Sequence, residues 1–475
     1  MSDSVALTEN LNARAQEHLV RPDGDEDLCF GLWYPSVGES RSTALLHALL
    51  LPQDGDRTVH GNVEFNPQFF QRAITEAIRA KAGLALLHSH PGRGWQGMSD
   101  DDVAAEQGNA AAVLAATGLP ILGLTLAAKD GTWSARFWRK TAPRTYVRAE
   151  CESVRVVGDG LAVSWHPRLR PPPPTRLELT RTVEAWGKEA QADVARLHVG
   201  VAGVGSVGSL IVEALARMGV QRISVFDFDR VERHNLDRIL HANAADAEAN
   251  TPKVEVAARA AALSATSGAF EFAPRELSVC EEEGYRAALD CDVLFSCVDR
   301  PWPRSVLNFL AYAHLIPVID GGIALSRTPS GRMRSGEWRA HIARPGHRCL
   351  ACIGQYDPGL VDTERHGLLE DSTYIERLPS DHPLRANQNV FVFGMAAASL
   401  ELLQLVLLAI GPAGVHSVGG YEFRFPVSEL ELTHAKCAQG CPYPALVARG
   451  ETAGAAGTGP HPAANAARKK SRKAR

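Results

Sequence analysis

The chain has 475 residues, too many for a single hydrophobic core, and its 45% hydrophobic and 22% charged composition is that of an ordinary soluble globular protein. The net charge of −4 hides a basic end: Arg468, Lys469, Lys470, Arg472, Lys473 and Arg475 fall in the last eight residues, and without them the rest stands at −10. An acidic body argues against a nucleic-acid surface on the folded part, and the tail, 449–475, follows a Gly/Ala-rich stretch and reads as disordered. No basic start precedes an apolar run, so a cytoplasmic protein is expected, and nine cysteines, an odd number, fit a reducing compartment better than a disulfide frame.

From the N-terminus, β-like apolar runs at 28–34, 43–51, 85–90, 121–128 and 133–138 surround one helical stretch, 68–82, and 154–165 predicts a closing pair of strands. This mixture predicts an α+β domain over 1–165. Pro171-Pro172-Pro173-Pro174 can enter neither a helix nor a central strand, so 166–178 is read as a linker. Downstream, strands at 197–202, 222–227, 293–298 and 316–320 alternate with helices such as 207–218, the pattern of a doubly wound parallel sheet over 179–448. The apolar run 390–410 is long enough to span a bilayer, but it contains Glu401 and Gln404 and stands alone; a buried or dimer-interface helix is expected, and no membrane.

His88-Ser89-His90-Pro91, followed by Ser99 and Asp102, is the sharpest motif of the first part. Residues two apart on a strand leave the same face, and two imidazoles with a carboxylate make a three-ligand zinc site with one position open. Ser99 is placed to hydrogen-bond the metal-bound water or a tetrahedral oxyanion. The motif resembles that of the JAMM (JAB/MPN) metallopeptidases, which cut the bond after the C-terminus of ubiquitin-like proteins. By that resemblance His88, His90 and Asp102 hold a catalytic zinc and an upstream glutamate is the general base. Glu26 fits that place best, with Glu39 and Glu64 as alternatives. The gap between His90 and Ser99 is one residue longer than in most members, which makes Asp101 an alternative to Asp102.

Gly203-Val204-Gly205-Ser206-Val207-Gly208 follows a strand and opens a helix, where bare backbone and a helix N-terminus favour phosphate. Asp227, ending the next strand 19 residues after Gly208, suits a ribose hydroxyl. A nicotinamide enzyme would carry the same fingerprint. The longer series Asp227-x-Asp229-x-Val231, Asn235-Leu236-x-Arg238, Pro252-Lys253-Val254, Cys297-x-Asp299 with Arg304, and Arg181 with Trp186-Gly187 and Gln191 resembles ThiF/MoeB-like and ubiquitin-activating adenylyltransferases. The resemblance implies ATP bound by Gly203, Gly205 and Gly208, ribose on Asp227, the triphosphate gripped by Asn235, Arg238 and Lys253, and Mg2+ on Asp299. It also implies a homodimer in which Arg181 reaches the neighbouring nucleotide. Cys349, Cys352, Cys437 and Cys441 are spaced for a structural zinc site of four thiolates, and similar paired cysteines occur in the family.

No cysteine lies between Cys352 and Cys437, where ubiquitin-activating enzymes carry a thioester nucleophile; 355–389 reads as the crossover loop over a modifier's tail. The fold class expected is thus α/β, an α+β JAMM domain followed by a Rossmann-like adenylation domain. The expected substrate is a ubiquitin-like or sulfur-carrier protein ending in glycine, activated by one part and processed by the other; a conjugating enzyme is the further partner such a system implies. Prokaryotic ubiquitin-like conjugation systems, often antiviral, have this character, and the Ala- and Arg-rich composition is in keeping with a bacterial source. The competing expectations are a sulfur-transfer pathway and an inactive scaffold that only binds such a partner.

Overall fold

The computed structural model describes residues 1–371, 374, 376, 389–416, 419–454 and 457–473, without the side chains of 471–473. The chain divides into two compact units, each described by itself: residues 1–172 with 313–315 and 446–454, and residues 173–312 with 316–445 and 455–475.

The first unit holds strands β1 (Ser2–Thr8), β2 (Leu28–Val37), β3 (Arg41–Leu50), β4 (Arg57–His60), β5 (Asn62–Phe65), β6 (Gly83–His90), β7 (Ile121–Ala127), β8 (Trp133–Ala142), β9 (Thr145–Glu150), β10 (Ser153–Val157) and β11 (Leu161–Trp165). Its helices are α1 (Glu9–Leu19), α2 (Pro67–Ala80) and α3 (Asp100–Thr117). Nine strands form one sheet in the order β11-β10-β1-β3-β2-β6-β7-β8-β9, while β4 and β5 pair separately. Leu11, Ala15 and Leu19 of α1 pack on one face of that sheet, and Phe69, Ala73 and Ala77 of α2 with Ala110 and Val113 of α3 on the other. Two helical layers around a sheet bury both faces of its central strands, which explains why β6 and β7 read as unbroken apolar runs.

Helix α3 and the β1–α1 pair lie outside the elements expected from the sequence. Helix α3 buries Glu106, Ala110 and Val113, so a charged residue holds a core position and the apolar period is lost. Burial of that charge is met by a complete set of donors. Arg136 Nε donates to Glu106 Oε2 at 2.9 Å, Trp138 Nε1 donates to the same oxygen at 2.7 Å, and Arg136 NH2 bonds Oε1. Gly123 makes room for the pair, because a Cβ there would lie 2.3 Å from the Glu106 carboxylate.

The second unit contains β12 (His198–Ala202), β13 (Arg222–Phe226), β14 (Glu271–Arg275), β15 (Val293–Ser296), β16 (Val318–Arg327), β17 (Met333–Ala343), β18 (Gly420–Phe425) and β19 (Glu429–Thr433). Its helices are α4 (Thr180–Trp186), α5 (Lys188–Arg196), α6 (Ser206–Arg217), α7 (Ala244–Glu248), α8 (Lys253–Ser264), α9 (Glu282–Ala288), α10 (Pro301–Ala313), α11 (Gly359–Arg365), α12 (Phe391–Ala409), α13 (Tyr443–Leu446) and α14 (Pro462–Lys473). The sheet order is β14-β13-β12-β15-β16-β17-β18-β19. The first five strands are parallel, as alternating strands and helices require, and the last three return antiparallel. The order runs outward in both directions from β12, so a switch point lies at its C-terminal end, where ligands of such sheets bind.

Helix α12 is long and apolar enough to cross a bilayer by length and composition. It packs on α6, β16 and β17, and Glu401 and Gln404 are buried, with Gln404 Nε2 donating to Gly419 O at 2.8 Å. The expected crossover loop is described over 355–371; residues 377–388 lie outside the described residues. The tail departs from expectation. Residues 450–453 form a 3-10 turn packed in the first unit, where Glu451 accepts a hydrogen bond from Val37 N at 3.1 Å, and 462–473 is a helix in the second. Composition reads such a segment as solvated because its anchoring falls on a few contacts and not on an apolar run.

Candidate functional site

In the first unit, β6 runs between β2 and β7, which fixes the H-x-H motif on a central strand. Ser89 turns the other way: its amide donates to Asp27 O, and its hydroxyl accepts from Asp27 N at 3.1 Å. Asp27 is in turn held by Arg57, at 2.6 and 2.8 Å, and the amide of its neighbour Glu26 donates to Gly61 O. His88 and His90 therefore share a face, with their Nε2 atoms 3.2 Å apart.

Asp102 enters from the first turn of α3. Its Oδ1 is 3.3 Å from His88 Nε2 and its Oδ2 is 3.2 Å from His90 Nε2. Four ligands about 2.0–2.1 Å from a zinc ion stand roughly 3.3 Å from one another. The separation of the two imidazole nitrogens, and that of each from its nearer Asp102 oxygen, are close to the edge of such a tetrahedron, and the chemistry of the donors is that of a zinc site. Burial works to raise the Asp102 carboxyl, yet its contacts with both imidazoles and the Ser99 amide hold it far below the usual carboxylate range. Glu26 Oε1 lies 3.9 Å from His90 Nε2, and burial pushes its carboxyl above the ordinary value. Glu39, Glu64 and Asp101 are exposed and stand outside this group.

Ser99 also has a local task. Its hydroxyl accepts from Asp102 N at 3.1 Å, and its amide donates to Asp102 Oδ2 at 2.7 Å, a capping box that starts α3. The capping box is what aims Asp102 at the histidines. A feature that the motif did not announce lies behind them: Arg136 NH1 donates to Thr125 Oγ1 at 2.5 Å, and that oxygen is 3.4 Å from His88 Nε2.

In the second unit the glycine loop links β12 to α6. Gly203 has φ +86°, and a Cβ there would lie 2.6 Å from Cys297 O; at Gly208 it would meet Gly203 O at 1.9 Å. Nothing stands within 4 Å of the Cβ position at Gly205, the open side where a phosphate can approach. Asp227 ties the loop down: its Oδ2 accepts from Val204 N and its Oδ1 from Asp229 N, both at 2.8 Å. Burial raises its carboxyl to about 6, against the pull of Lys253. Lys253, at the head of α8, donates to Asp229 Oδ2 at 2.8 Å, and Asp227, Asp229 and Asp299 together keep it charged despite its burial. Asp299 is exposed just beyond β15.

The other expected grips are less engaged. Arg238 NH1 is turned to its own loop, bonding His234 O and, at 2.8 Å, Asp237 Oδ1. Asn235 Oδ1 accepts from Glu232 N at 3.0 Å, and Arg181 is exposed on α4. A cavity of about 300 Å³ beside α4 and α5 is lined by Arg176, Leu179, Val183 and Gln191 among others, and none of the residues expected to hold nucleotide lines it.

The four cysteines bring their Sγ atoms within 4.8 Å of one another. Cys349 and Cys441 are 3.7 Å apart, close to the edge of a tetrahedron with Zn–S bonds of about 2.3 Å. Backbone amides point at the sulfurs: Cys349 N to Cys437 at 3.2 Å, Cys352 N to Cys349 at 3.4 Å and Ala438 N to Cys352 at 3.5 Å. Such donors suit thiolates, so the set fits a structural zinc.

The sequence profile of the ThiF family matches residues 178–413, the stretch that holds the glycine loop, Asp227, Lys253 and Asp299. These residues are a ThiF-family domain. Among its relatives, the ubiquitin-like modifier-activating enzyme 5 of Drosophila mojavensis is 27% identical over 177 residues, 35% of this chain and 41% of that protein. The tRNA threonylcarbamoyladenosine dehydratase 2 of Saccharomyces cerevisiae is 30% identical over 165 residues, 34% of this chain and 36% of that protein. The chain spans about two fifths of the length of the curated relatives it matches. A crystal structure of E. coli MccB with ATP is 15% identical, with a TM-score of 0.42, over 57% of this chain and 75% of that one.

Proposed function

We propose that the ThiF-family domain adenylates the C-terminal glycine of a ubiquitin-like protein, and that the first unit is a zinc peptidase of JAMM type acting on the same protein. The single observation that carries the first half is the join between Asp227 and the glycine loop, with Lys253 beside it and both Gly203 and Gly208 closed to any side chain. In adenylation a carboxylate oxygen bonds the α-phosphorus, the bond to the bridging oxygen breaks, and pyrophosphate leaves with the charge. Gly205 and the α6 N-terminus receive phosphate, Asp227 orients the ribose, and Lys253 offsets the charge on the leaving group, with Asn235 and Arg238 as further grips. Asp299 would hold Mg2+, which neutralises phosphate charge when bound.

In the first unit His88, His90 and Asp102 would hold zinc, a Lewis acid toward the scissile carbonyl when bound. Glu26, half-buried beside His90, is the proton acceptor, and Ser99 sets Asp102. The reading is supported by the donor set and by the relation of the second part to enzymes that activate ubiquitin-like modifiers. The absence of a cysteine from 353 to 436 favours adenylation without a thioester on this chain, which also suits a sulfur-carrier substrate.

The test is ATP–pyrophosphate exchange with a ubiquitin-like protein encoded beside this one. Exchange that requires the partner and yields its adenylate is expected. No exchange with any glycine-ended partner would remove the adenylation reading.

A further inference from the structure

The C-terminal segment 457–470 crosses the nucleotide half of the second unit, where its central side chain is wholly enclosed. His461 has no exposed surface. Its Nε2 faces Glu364 Oε1 at 3.0 Å and its Nδ1 faces Ser278 Oγ at 2.9 Å. A carboxylate accepts only, so Nε2 carries a proton toward Glu364, while Ser278 Oγ bonds Nδ1 and accepts from Cys280 N at 3.1 Å. The imidazole ring stands edge-on to two aromatic rings, Phe228 at 5.2 Å and Trp302 at 5.0 Å. Both ring nitrogens are thus bonded, and the ring packs against both aromatics.

The two aromatic residues belong to the segments that carry the nucleotide machinery. Phe228 lies between Asp227, which ties the glycine loop, and Asp229, which holds Lys253. Trp302 opens α10, three residues beyond Asp299, and its amide donates to the second oxygen of Glu364 at 2.8 Å. Its indole Nε1 donates to Gly457 O at 3.1 Å, so the segment meets Trp302 at two points. Gly459 N donates to Cys280 O at 2.9 Å, and Thr458 Oγ1 to Glu282 Oε2 at 3.1 Å. Helix α14 then buries Ala463 and Ala464, and Arg468 makes a two-bond pair with Glu281 at 2.7 Å each. Lys470 pairs with Glu232, close in the chain to Asp229, at 2.6 Å.

We infer that residues 457–470 are a strap that positions the nucleotide site, with His461 as its anchor between the Asp227–Asp229 turn and the head of α10. The strap stands on these contacts; only the identity of what it positions rests on the adenylation reading. The His461 ring links Phe228 to Trp302, and without it the turn holding Lys253 and the segment holding Asp299 move independently. His461 is a positioning residue and touches no substrate. The basic side chains that composition assigns to a solvated tail act here as outer fastenings, weakened by salt because they are partly exposed.

The test compares full-length wild type with His461→Ala and with the surface variant Arg468→Glu/Lys470→Glu, which leaves the buried histidine in place. Three quantities are read: the KM for ATP, kcat for pyrophosphate exchange, and hydrogen exchange in peptides covering 227–238 and 299–305. The strap requires KM for ATP to rise about tenfold in His461→Ala, with faster hydrogen exchange confined to those two segments. The surface variant shows the same pattern to a smaller degree. If His461→Ala does not fold, the surface variant decides. Folded variants with wild-type KM and wild-type exchange in both segments overturn the strap. A wild type that binds no ATP overturns the adenylation reading instead, and hydrogen exchange still judges the strap.

Discussion

Lys253 sits where three carboxylates converge and donates to Asp229, so its charge is available to a phosphate that displaces that aspartate. Lys253→Ala should lower ATP–pyrophosphate exchange by about a hundredfold or more, the usual effect of removing one donor aimed at developing charge, and should lower the melting temperature as well, because Asp227 and Asp229 lose their counter-charge. Asp227 adds a pH dependence. Its folded value of about 6 lies above that of an unfolded aspartate, so the folded chain binds this proton more tightly. Its contribution to stability therefore falls as pH rises from about 4 through 6 and is level above. The anionic form that accepts a ribose hydroxyl fills over the same window. Nucleotide affinity, measured by titration calorimetry, should strengthen from pH 5 to pH 7, and Asp227→Asn should flatten that rise.

At the scale of elements, α3 is docked by charge. Glu106 is fully buried and bonded to Arg136 and Trp138, and the other end of Arg136 reaches Thr125 beside His88. Glu106→Ala would leave a guanidinium buried without its counter-charge, at a cost of about 3–5 kcal/mol. Thermal unfolding of the first unit should drop accordingly, and zinc affinity should weaken because α3, which brings Asp102, loses its tie to Arg136. Unchanged melting would mean that α3 is held by its apolar residues alone. The helix is hidden in the sequence for the same reason that makes it informative: a strip with glutamate at its centre has no apolar period. Ser99, Asp102 and the H-x-H pair are legible because a strand's alternation and a capping box are local geometry. The place of Arg136 is not, since a strand cannot announce which distant helix will supply its counter-charge.

At the scale of the whole chain, two donor sets lie on two separate units, and each should fail alone. His88→Ala should remove one zinc, counted by elemental mass spectrometry, and end tail cleavage while pyrophosphate exchange persists. Lys253→Ala should do the reverse. Loss of exchange in His88→Ala would show that the two parts do not work independently. The cysteine set is a third, structural element, and treatment with a chelator should release a second zinc more slowly than the first, because its four thiolates leave no open position.

Residues close in sequence settled the most from the chain alone. The glycine loop with Asp227, the Asp229-to-Lys253 series and the parallel strand–helix alternation are set by short-range backbone needs: a bare turn, a strand end, a helix start. Tertiary structure alone decided what depends on burial at long range. It enclosed His461 between Phe228 and Trp302 and joined Glu106 to Arg136. A polar side chain reads as surface in a composition, and only the partner that folding brings to it offsets the cost of its burial.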